Sequence, residues 1–158
     1  MGQVVHRKHL FIIIVTVVVL ATFLVLHFFG FTGLGSRMEF QTVQHSFSRG
    51  NVLGNEGYCI IQNMDEWTEI CTNSSPGVDF SKETVIALFY GVCPSVGSYW
   101  IEVKEIVDTG LTIIVKVEKI HRVNHVEIPI QGHPYHIVKL NKIDKHVIFQ
   151  TSTREITD

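Results

Sequence analysis

The sequence contains little cysteine, proline and charge. Among its 158 residues there are three cysteines and four prolines, and 18% of the residues are charged. An odd number of cysteines leaves at least one without an intramolecular partner. The formal net charge is −2, and the chain has no cluster of Lys and Arg, no low-complexity tract and no internal repeat. A nucleic-acid-binding surface needs such basic clusters, so the composition argues against that class of function.

Signatures of enzymes are also missing. Neither Ser95 nor Ser98 lies in the G-x-S-x-G element that presents the nucleophile of many hydrolases. Nothing in the sequence pairs Cys93 with a base, and a catalytic cysteine requires a lowered pKa. From the sequence we therefore assign no catalytic residue, no cofactor and no metal site.

The chain does contain one long apolar run, LFIIIVTVVVLATFLVLHFF, at residues 10–29. At about 1.5 Å per residue, a helix of this length spans roughly 30 Å, the thickness of the hydrocarbon core of a bilayer. Arg7 and Lys8 precede the run, and basic residues favour the cytoplasmic side. The run predicts a transmembrane signal anchor held in membrane lipid. The alternative is a cleaved signal peptide, whose apolar region is normally about 7 to 15 residues long and ends at small residues.

This anchor divides the chain into five parts. Setting Arg7 and Lys8 aside as cytoplasmic leaves 11 of the 13 basic residues against 15 acidic ones. The expected localisation is the membrane, with a single pass and an extracytoplasmic C-terminal domain. The predicted parts are a cytoplasmic N-terminus at 1–9, the anchor at 10–29, a Gly-rich linker at 30–38, a β-domain at 39–152 and a polar tail at 153–158.

The exported part is predicted to consist mainly of short strands. ETVIALFYG, at residues 83–91, is apolar on both parities, as is typical of a central strand covered on both faces. NMDEWTEIC has helical spacing, with Asn63 as N-cap, Glu66 three residues later and Trp67 as a core anchor. Five to seven strands and one short helix indicate a mainly β domain. We expect an antiparallel meander that forms a small sandwich or a partly open barrel.

Two neighbouring runs, YWIEVKEIV and LTIIVKVEKI, alternate between apolar and polar residues and predict a β-hairpin. A three-residue loop that ends at Gly110 would place Val107 opposite Leu111. The same register places Glu102 opposite Lys116, which is a favourable cross-strand charge pair.

Two segments of the exported part are similar to a known family. The stretch VDFSKETVIALFYGVCPSVGSYWIEVKEI contains a Gly/Pro-rich corner before an alternating strand, and HPYHIVKL begins a second strand. In their order and spacing, these motifs resemble the C-terminal domain of the protease-complex-subunit family named after PrcB, over residues 60–140. The residues that carry the resemblance are Gly91, Pro94, Gly97, Tyr99, Pro134 and Tyr135.

The resemblance implies a small extracytoplasmic accessory domain that associates with an exported protease and has no catalytic activity of its own. The corner and the Pro134–Tyr135 segment would then be structural determinants and contact points for the partner protein. One departure is Ser98, which stands where the family usually has a second glycine. A serine there has to fit the geometry of the corner.

Two other functions stay open at this level. A metal-dependent enzyme would use His121, His125, His133 or His136, because imidazole is a common metal ligand. Their spacing is not a recognised zinc pattern, and residues four apart on a strand are separated by about 13 Å, which is too far for two ligands of one metal. The other alternative is a structural envelope protein whose exposed strand edge pairs with a neighbour.

Two possible modifications also stay open. Any pairing among Cys59, Cys71 and Cys93 is undecided, although Cys59 and Cys71 would tie a strand to the helix if the helix doubles back. Asn73 begins an N-S-S triplet, which is a glycosylation acceptor only in a host that glycosylates exported proteins.

Overall fold

The computed structural model describes residues 16–18, 21, 35–48, 55–71, 77–95, 97–123 and 129–157. The chain divides into two compact units, Met1–Gly35 and Ser36–Asp158. In the first unit, residues 16–18 and 21 are helical, and the other residues of the predicted anchor lie outside the described part. Of the helices in the described ranges, none combines the length and the apolar character needed to cross a bilayer.

The described part of the second unit contains eight strands and one short helix. They are β1 (Ser36–Met38), β2 (Phe40–Ser48), β3 (Gly57–Ile61), α1 (Met64–Ile70), β4 (Glu83–Phe89), β5 (Tyr99–Asp108), β6 (Thr112–Val123), β7 (His133–Asn141) and β8 (His146–Thr157). Sheet A has the strand order β1-β5-β6-β8, and sheet B has the order β2-β7-β4-β3. The predicted mainly β fold is confirmed, with two separate sheets rather than a closed barrel.

The strand order differs from the predicted meander. β6 and β7 follow each other in sequence but lie in different sheets, and β8 returns to sheet A, where it pairs with β6 in the parallel sense. The other pairs are antiparallel. The meander was therefore a wrong prediction. A chain that alternates between two sheets lets each sheet cover the apolar inner face of the other, whereas neighbouring strands of a meander stay in one sheet.

The main core lies between the two sheets. Val115 and Val117 of β6 face Ile86 and Leu88 of β4, and all four side chains are at most 1% exposed. Successive residues of a strand point to opposite faces, so the apolar residues at every second position of β6 form its buried face.

Sheet B is covered on its outer face by α1. Trp67 is 3% exposed and packs against the outer side chains of β4 and β7. The helix starts after Asn63, whose side-chain oxygen accepts a hydrogen bond of 2.9 Å from the backbone N–H of Glu66. This bond satisfies one of the free donors at the helix start, as the sequence pattern predicts. With a core on each side, β4 is buried along most of its length.

β5 and β6 form a hairpin, but the predicted register was wrong. Val107 lies opposite Ile114 rather than Leu111, and Glu105 rather than Glu102 lies opposite Lys116. The side chain of Leu111 is 76% exposed in the turn.

A longer turn and a β-bulge together explain the change of register, because the pair next to the turn is Asp108 and Ile113. The pairing shifts between Val103 and Glu105, so one extra residue is inserted into β5. After the bulge, Ile106 rather than Val107 faces the core and is fully buried. Gly110 has a φ of 89°, so the position of the turn agrees with the sequence although the pairing does not.

Two boundaries of the β-unit differ from the predicted ones. β1 begins at Ser36, inside the predicted linker, and pairs with the end of β5. β8 continues to Thr157 and pairs with β6 along its whole length, so residues 153–157 form strand instead of a tail. Backbone hydrogen bonds hold these polar residues in the sheet without a buried apolar side.

The two ends of the sandwich carry different features. At the near end, where the chain enters the sheets, Ser36 lies opposite Asp108 and beside the β5–β6 turn. At the far end, β5 starts at Tyr99 and β7 starts at His133. β5 has 10 residues, so at about 3.3 Å per residue the two ends are roughly 30 Å apart.

Candidate functional site

The Gly/Pro-rich corner lies at the far end, between β4 and β5. Gly91 and Gly97 have φ angles of 94° and 98°. Residues other than glycine rarely adopt such positive φ angles. A Cβ atom on Gly91 would lie 3.3 Å from the backbone nitrogen of Glu56, so the two segments pass close to each other. The backbone of the corner therefore requires glycine at Gly91 for two reasons, its φ angle and this close approach.

Backbone hydrogen bonds join the corner to the start of β7. The N–H of Tyr90 donates to the carbonyl oxygen of Pro134 at 2.9 Å. Cys93 and Gly132 exchange two backbone hydrogen bonds, of 2.8 and 3.0 Å. The structure thus brings the corner and Pro134 together, although they are far apart in the sequence.

The two serines of the corner have a structural role. Ser95 and Ser98 are each 1% exposed, and their Oγ atoms are 3.2 Å apart, within hydrogen-bonding distance. The carbonyl oxygen of Ser98 accepts a hydrogen bond of 2.8 Å from the N–H of Arg122. Ser98, which stands where the PrcB-type motif usually has glycine, is therefore packed inside the corner and hydrogen-bonded to β6. Pro94 is exposed beside it.

A group of polar and aromatic side chains lies next to the corner, and we call it the far-end cluster: Glu56, Tyr90, Tyr99, Lys119 and His121. The rings of Tyr99 and His121 stack with centroids 4.4 Å apart and an angle of 8° between their planes. Tyr90 meets Tyr99 edge-on at 5.6 Å. Lys119 forms an ion pair with Glu56, and its Nζ atom lies 4.8 Å from the centre of the Tyr90 ring.

Lys119 is one of the residues of this cluster that sequence reasoning missed. It occupies an inward-facing position of β6 in line with Val115 and Val117, and it is only 9% exposed. A buried ammonium needs a partner, which Glu56 supplies together with the face of Tyr90. The sequence did contain a signal for Lys119, because a lysine interrupts the alternating apolar residues of β6.

The thiol of Cys93 lies inside the corner and is 1% exposed. Burial raises its pKa to about 11, and the nearby charge of Lys119 offsets only part of this rise. At neutral pH the group is therefore a protonated thiol, which is a poor nucleophile.

Tyr135 faces away from the corner. It lies on the outer face of sheet B, opposite Phe89, and packs with the cluster that includes Trp67. Burial raises the pKa of its hydroxyl, and a hydrogen bond with Ser46 opposes that rise. The residues that carry the family resemblance therefore do not form one surface, because the corner and Pro134 meet while Tyr135 supports the second core.

The three described histidines of the metal hypothesis are dispersed. His121 stacks on Tyr99, while His133 begins β7 and has a buried Nδ1 atom without a hydrogen-bond partner among the described residues. His136 points into the seam between β7, β5 and β2, and His125 lies outside the described residues. Within the described ranges, no three His, Cys, Asp or Glu side chains are grouped so that they would hold a metal ion.

The cysteines are free thiols in this structure, with Cys59 and Cys71 half-buried. The side chains of both lie in the core on the outer face of sheet B, Cys59 from β3 and Cys71 from the end of α1. This is the arrangement expected if α1 turns back towards β3. Burial is the main cause that raises the pKa of each thiol. Asn73 lies outside the described residues.

No protein-family model matches the chain, and neither a curated protein nor a solved structure is significantly similar to it. The resemblance to the PrcB-type family therefore rests on the sequence motifs alone and stays a prediction.

Proposed function

We propose that the protein is a membrane-anchored, extracytoplasmic accessory domain that binds another protein through the far end of its sandwich and is not itself catalytic. In this proposal residues 10–29 hold the chain in the bilayer, and the β-unit stands on the outer side. The PrcB-type motifs suggest an exported protease as the partner.

The observation that carries the proposal is the position of the corner. The chain enters the β-unit at Ser36, while the corner and the far-end cluster lie at the opposite end, roughly 30 Å away along β5. Any anchor that precedes Ser36 is attached to the β-unit at its near end. The corner and the far-end cluster are therefore separated from that attachment by the length of β5.

The described residues of the far end are held together by several contacts. Three backbone hydrogen bonds tie the corner to the start of β7, and the stacked rings of Tyr99 and His121 fix the neighbouring side chains. Side chains that already contact each other lose less conformational entropy when a partner binds. Tyrosine suits such a surface because its ring provides contact area and its hydroxyl provides a hydrogen bond.

Two features support a role in binding rather than catalysis. Ser95 and Ser98 bond to each other inside the corner, and the Cys93 thiol is buried with its pKa raised to about 11. Neither arrangement produces an activated nucleophile at neutral pH.

Binding can be tested with a Tyr99→Ala variant of the full-length protein purified from membranes. Loss of the ring from the far-end cluster is expected to reduce co-purification of an exported protease at least about tenfold, the size of a typical interface hot spot. Leu111→Ala at the near end is the control, because Leu111 is 76% exposed, and so accessible to a partner, but lies at the other end. Equal recovery with both variants, at wild-type folding, would contradict the proposed contact.

A further inference from the structure

Cys59 and Cys71 lie in the same small core, on the outer face of sheet B. Cys59 is on β3 opposite Ala87 of β4, and Cys71 directly follows α1. Both side chains pack with the cluster that contains Trp67, and both are half-buried. Two thiols that share one core and remain partly accessible are candidates for a disulfide.

The course of α1 brings the two thiols to the same part of the sheet. α1 has 7 residues, so it is roughly 10 Å long. Cys59 lies two residues before the end of β3, which is about 7 Å along the strand. A helix that packs back over the sheet therefore ends near the level of Cys59. Trp67, in the middle of α1, lies in one cluster with Ala87 and Ile137, which are in line with Cys59 across sheet B.

Electrostatic interactions also place the two thiols close together. Burial raises the pKa of Cys71, and the neighbouring thiol of Cys59 raises it further. Burial raises the pKa of Tyr135 as well, and Cys71 adds to that rise. Because interactions between charges weaken with distance, Cys71 lies near Cys59 on β3 and near Tyr135 on β7.

The two ends of α1 are held in different ways. At its start, Asn63 and Glu66 form two hydrogen bonds, of 2.7 and 2.9 Å. At its end, the N–H of Cys71 donates to the carbonyl oxygen of Trp67 at 2.7 Å, and the side chains of Ile70 and Cys71 pack in the core. A covalent bond from Cys71 to β3 would fasten the end that apolar packing holds to the sheet.

The third cysteine, Cys93, lies in a different environment. It is 1% exposed in the corner, and burial raises its pKa to about 11, whereas Cys59 and Cys71 are half-buried. Exchange with a disulfide requires that the attacking sulfur be both accessible and ionised. The odd number of cysteines is therefore explained as one pair and one unreactive thiol.

We propose that Cys59 and Cys71 form a disulfide that fastens the end of α1 to β3. The oxidant is another disulfide, carried by a thiol–disulfide oxidoreductase or by a small molecule. One cysteine, as its thiolate, attacks the donor and forms a mixed disulfide, and the second cysteine then displaces the donor's remaining sulfur. The two cysteines lose two electrons and two protons, which convert the donor disulfide into two thiols. An oxidising exterior supplies such donors, but the pairing depends on the β-unit alone and not on the proposed function.

Oxidised glutathione tests the proposal on the full-length protein in detergent micelles. The protein is reduced, treated with the oxidant, denatured, labelled with a maleimide and cut with trypsin. Cys59 and Cys71 share the tryptic peptide 50–82, and Cys93 lies alone in peptide 83–104. We expect peptide 50–82 to be unlabelled and lighter by two hydrogen atoms, and peptide 83–104 to carry one label. A maleimide or glutathione group on peptide 50–82, or a bond to Cys93, would overturn the proposal.

A second digestion and two variants identify the pair. A protease that cuts after Glu66 separates Cys59 from Cys71 in the reduced protein, and after oxidation the two fragments should stay joined until a reductant is added. Cys71→Ser is expected to lose this link and to leave Cys59 open to the label. Cys93→Ala is the matched control and should form the link as the wild type does. Joined fragments from Cys71→Ser, or separate fragments from Cys93→Ala at wild-type folding, would contradict the pairing.

Hydrogen exchange measures the effect of the bond on α1. A disulfide that closes this loop restricts the conformations in which α1 leaves the sheet, so exchange at residues 64–70 should slow at least about tenfold on oxidation. The same treatment should leave the exchange of Cys71→Ser unchanged. Equal exchange rates in the oxidised and reduced wild type would show that the bond does not fasten α1.

Discussion

His136 connects three strands through one imidazole ring. Its Nδ1 atom accepts a hydrogen bond of 3.0 Å from the N–H of Val103, and its Nε2 atom lies 3.0 Å from the hydroxyl oxygen of Thr42. A backbone N–H can only donate, so Nδ1 must be unprotonated and the ring proton sits on Nε2. Burial and the nearby His45 lower the pKa of His136 to about 4.

This pKa predicts a loss of stability in acid. Because the folded pKa lies below the ordinary value of 6.5, the neutral ring stabilises the fold at neutral pH, and that contribution declines as the pH falls from 6.5 towards 4. The free energy of unfolding should fall by about 3 kcal/mol over this range from His136. Urea unfolding between pH 4 and pH 7.5 measures this free energy. The His136→Gln variant should lack the part of the pH dependence that comes from the imidazole. Parallel pH profiles for wild type and variant would contradict the assignment.

Gly91 can be compared with two other glycines. Gly91→Ala combines a φ of 94° with a Cβ only 3.3 Å from Glu56, so it should lower the free energy of unfolding by about 2 to 3 kcal/mol. Gly110→Ala has a φ of 89° but open space around the new Cβ, and should cost about 1 kcal/mol. Gly57→Ala has neither problem and should be nearly neutral. Chemical denaturation measures the free energy of unfolding of the three variants. An equal cost for Gly91→Ala and Gly110→Ala would show that the close approach to Glu56 is unimportant.

At the scale of elements, local signals were the most informative. The cap at Asn63 and the glycine turn at Gly110 were predictable because each depends on residues within a few positions. The bulge in β5 was not, since YWIEVKEIV alternates without interruption and only the partner strand fixes where the extra residue goes. The parallel pairing of β8 with β6 depends on contacts between distant segments and left no trace in the sequence.

The residues of the candidate site also divide into those with a local signal in the sequence and those that depend on distant contacts. Gly91, Gly97 and Pro134 could be identified because turn residues have strong conformational signatures. The ion pair between Lys119 and Glu56 could not, because the two residues are 63 positions apart. His136 was named for metal binding, whereas its partners in β5 and β2 give it a structural role.

α1 is expected to stabilise sheet B through a single side chain. Trp67→Ala removes a ring that is 3% exposed and leaves a cavity over β4, so the free energy of unfolding should fall by about 3 kcal/mol or more. Met64→Ala on the same helix is the control, because Met64 is 45% exposed and should change stability by less than about 0.5 kcal/mol. A similar effect of both substitutions would mean that α1 contributes through its backbone rather than through Trp67.

At the scale of the whole molecule, the sandwich separates two kinds of surface. The near end contains the start of the chain in the sheets and the exposed turn at Leu111. The far end contains the corner, and among the described strands β8 has a neighbour on one side only. Under the proposed anchoring, the chain is attached at the near end and binds another protein at the far end.

The central claim is that the β-unit lies outside the membrane, and site-specific labelling in intact cells tests it most directly. Leu111→Cys places a thiol at a side chain that is 76% exposed, and Gln3→Cys places one in the predicted cytoplasmic segment. A membrane-impermeant maleimide should label Leu111→Cys in intact cells and Gln3→Cys only after the cells are permeabilised. Labelling of Gln3→Cys in intact cells, with Leu111→Cys protected until permeabilisation, would contradict the account.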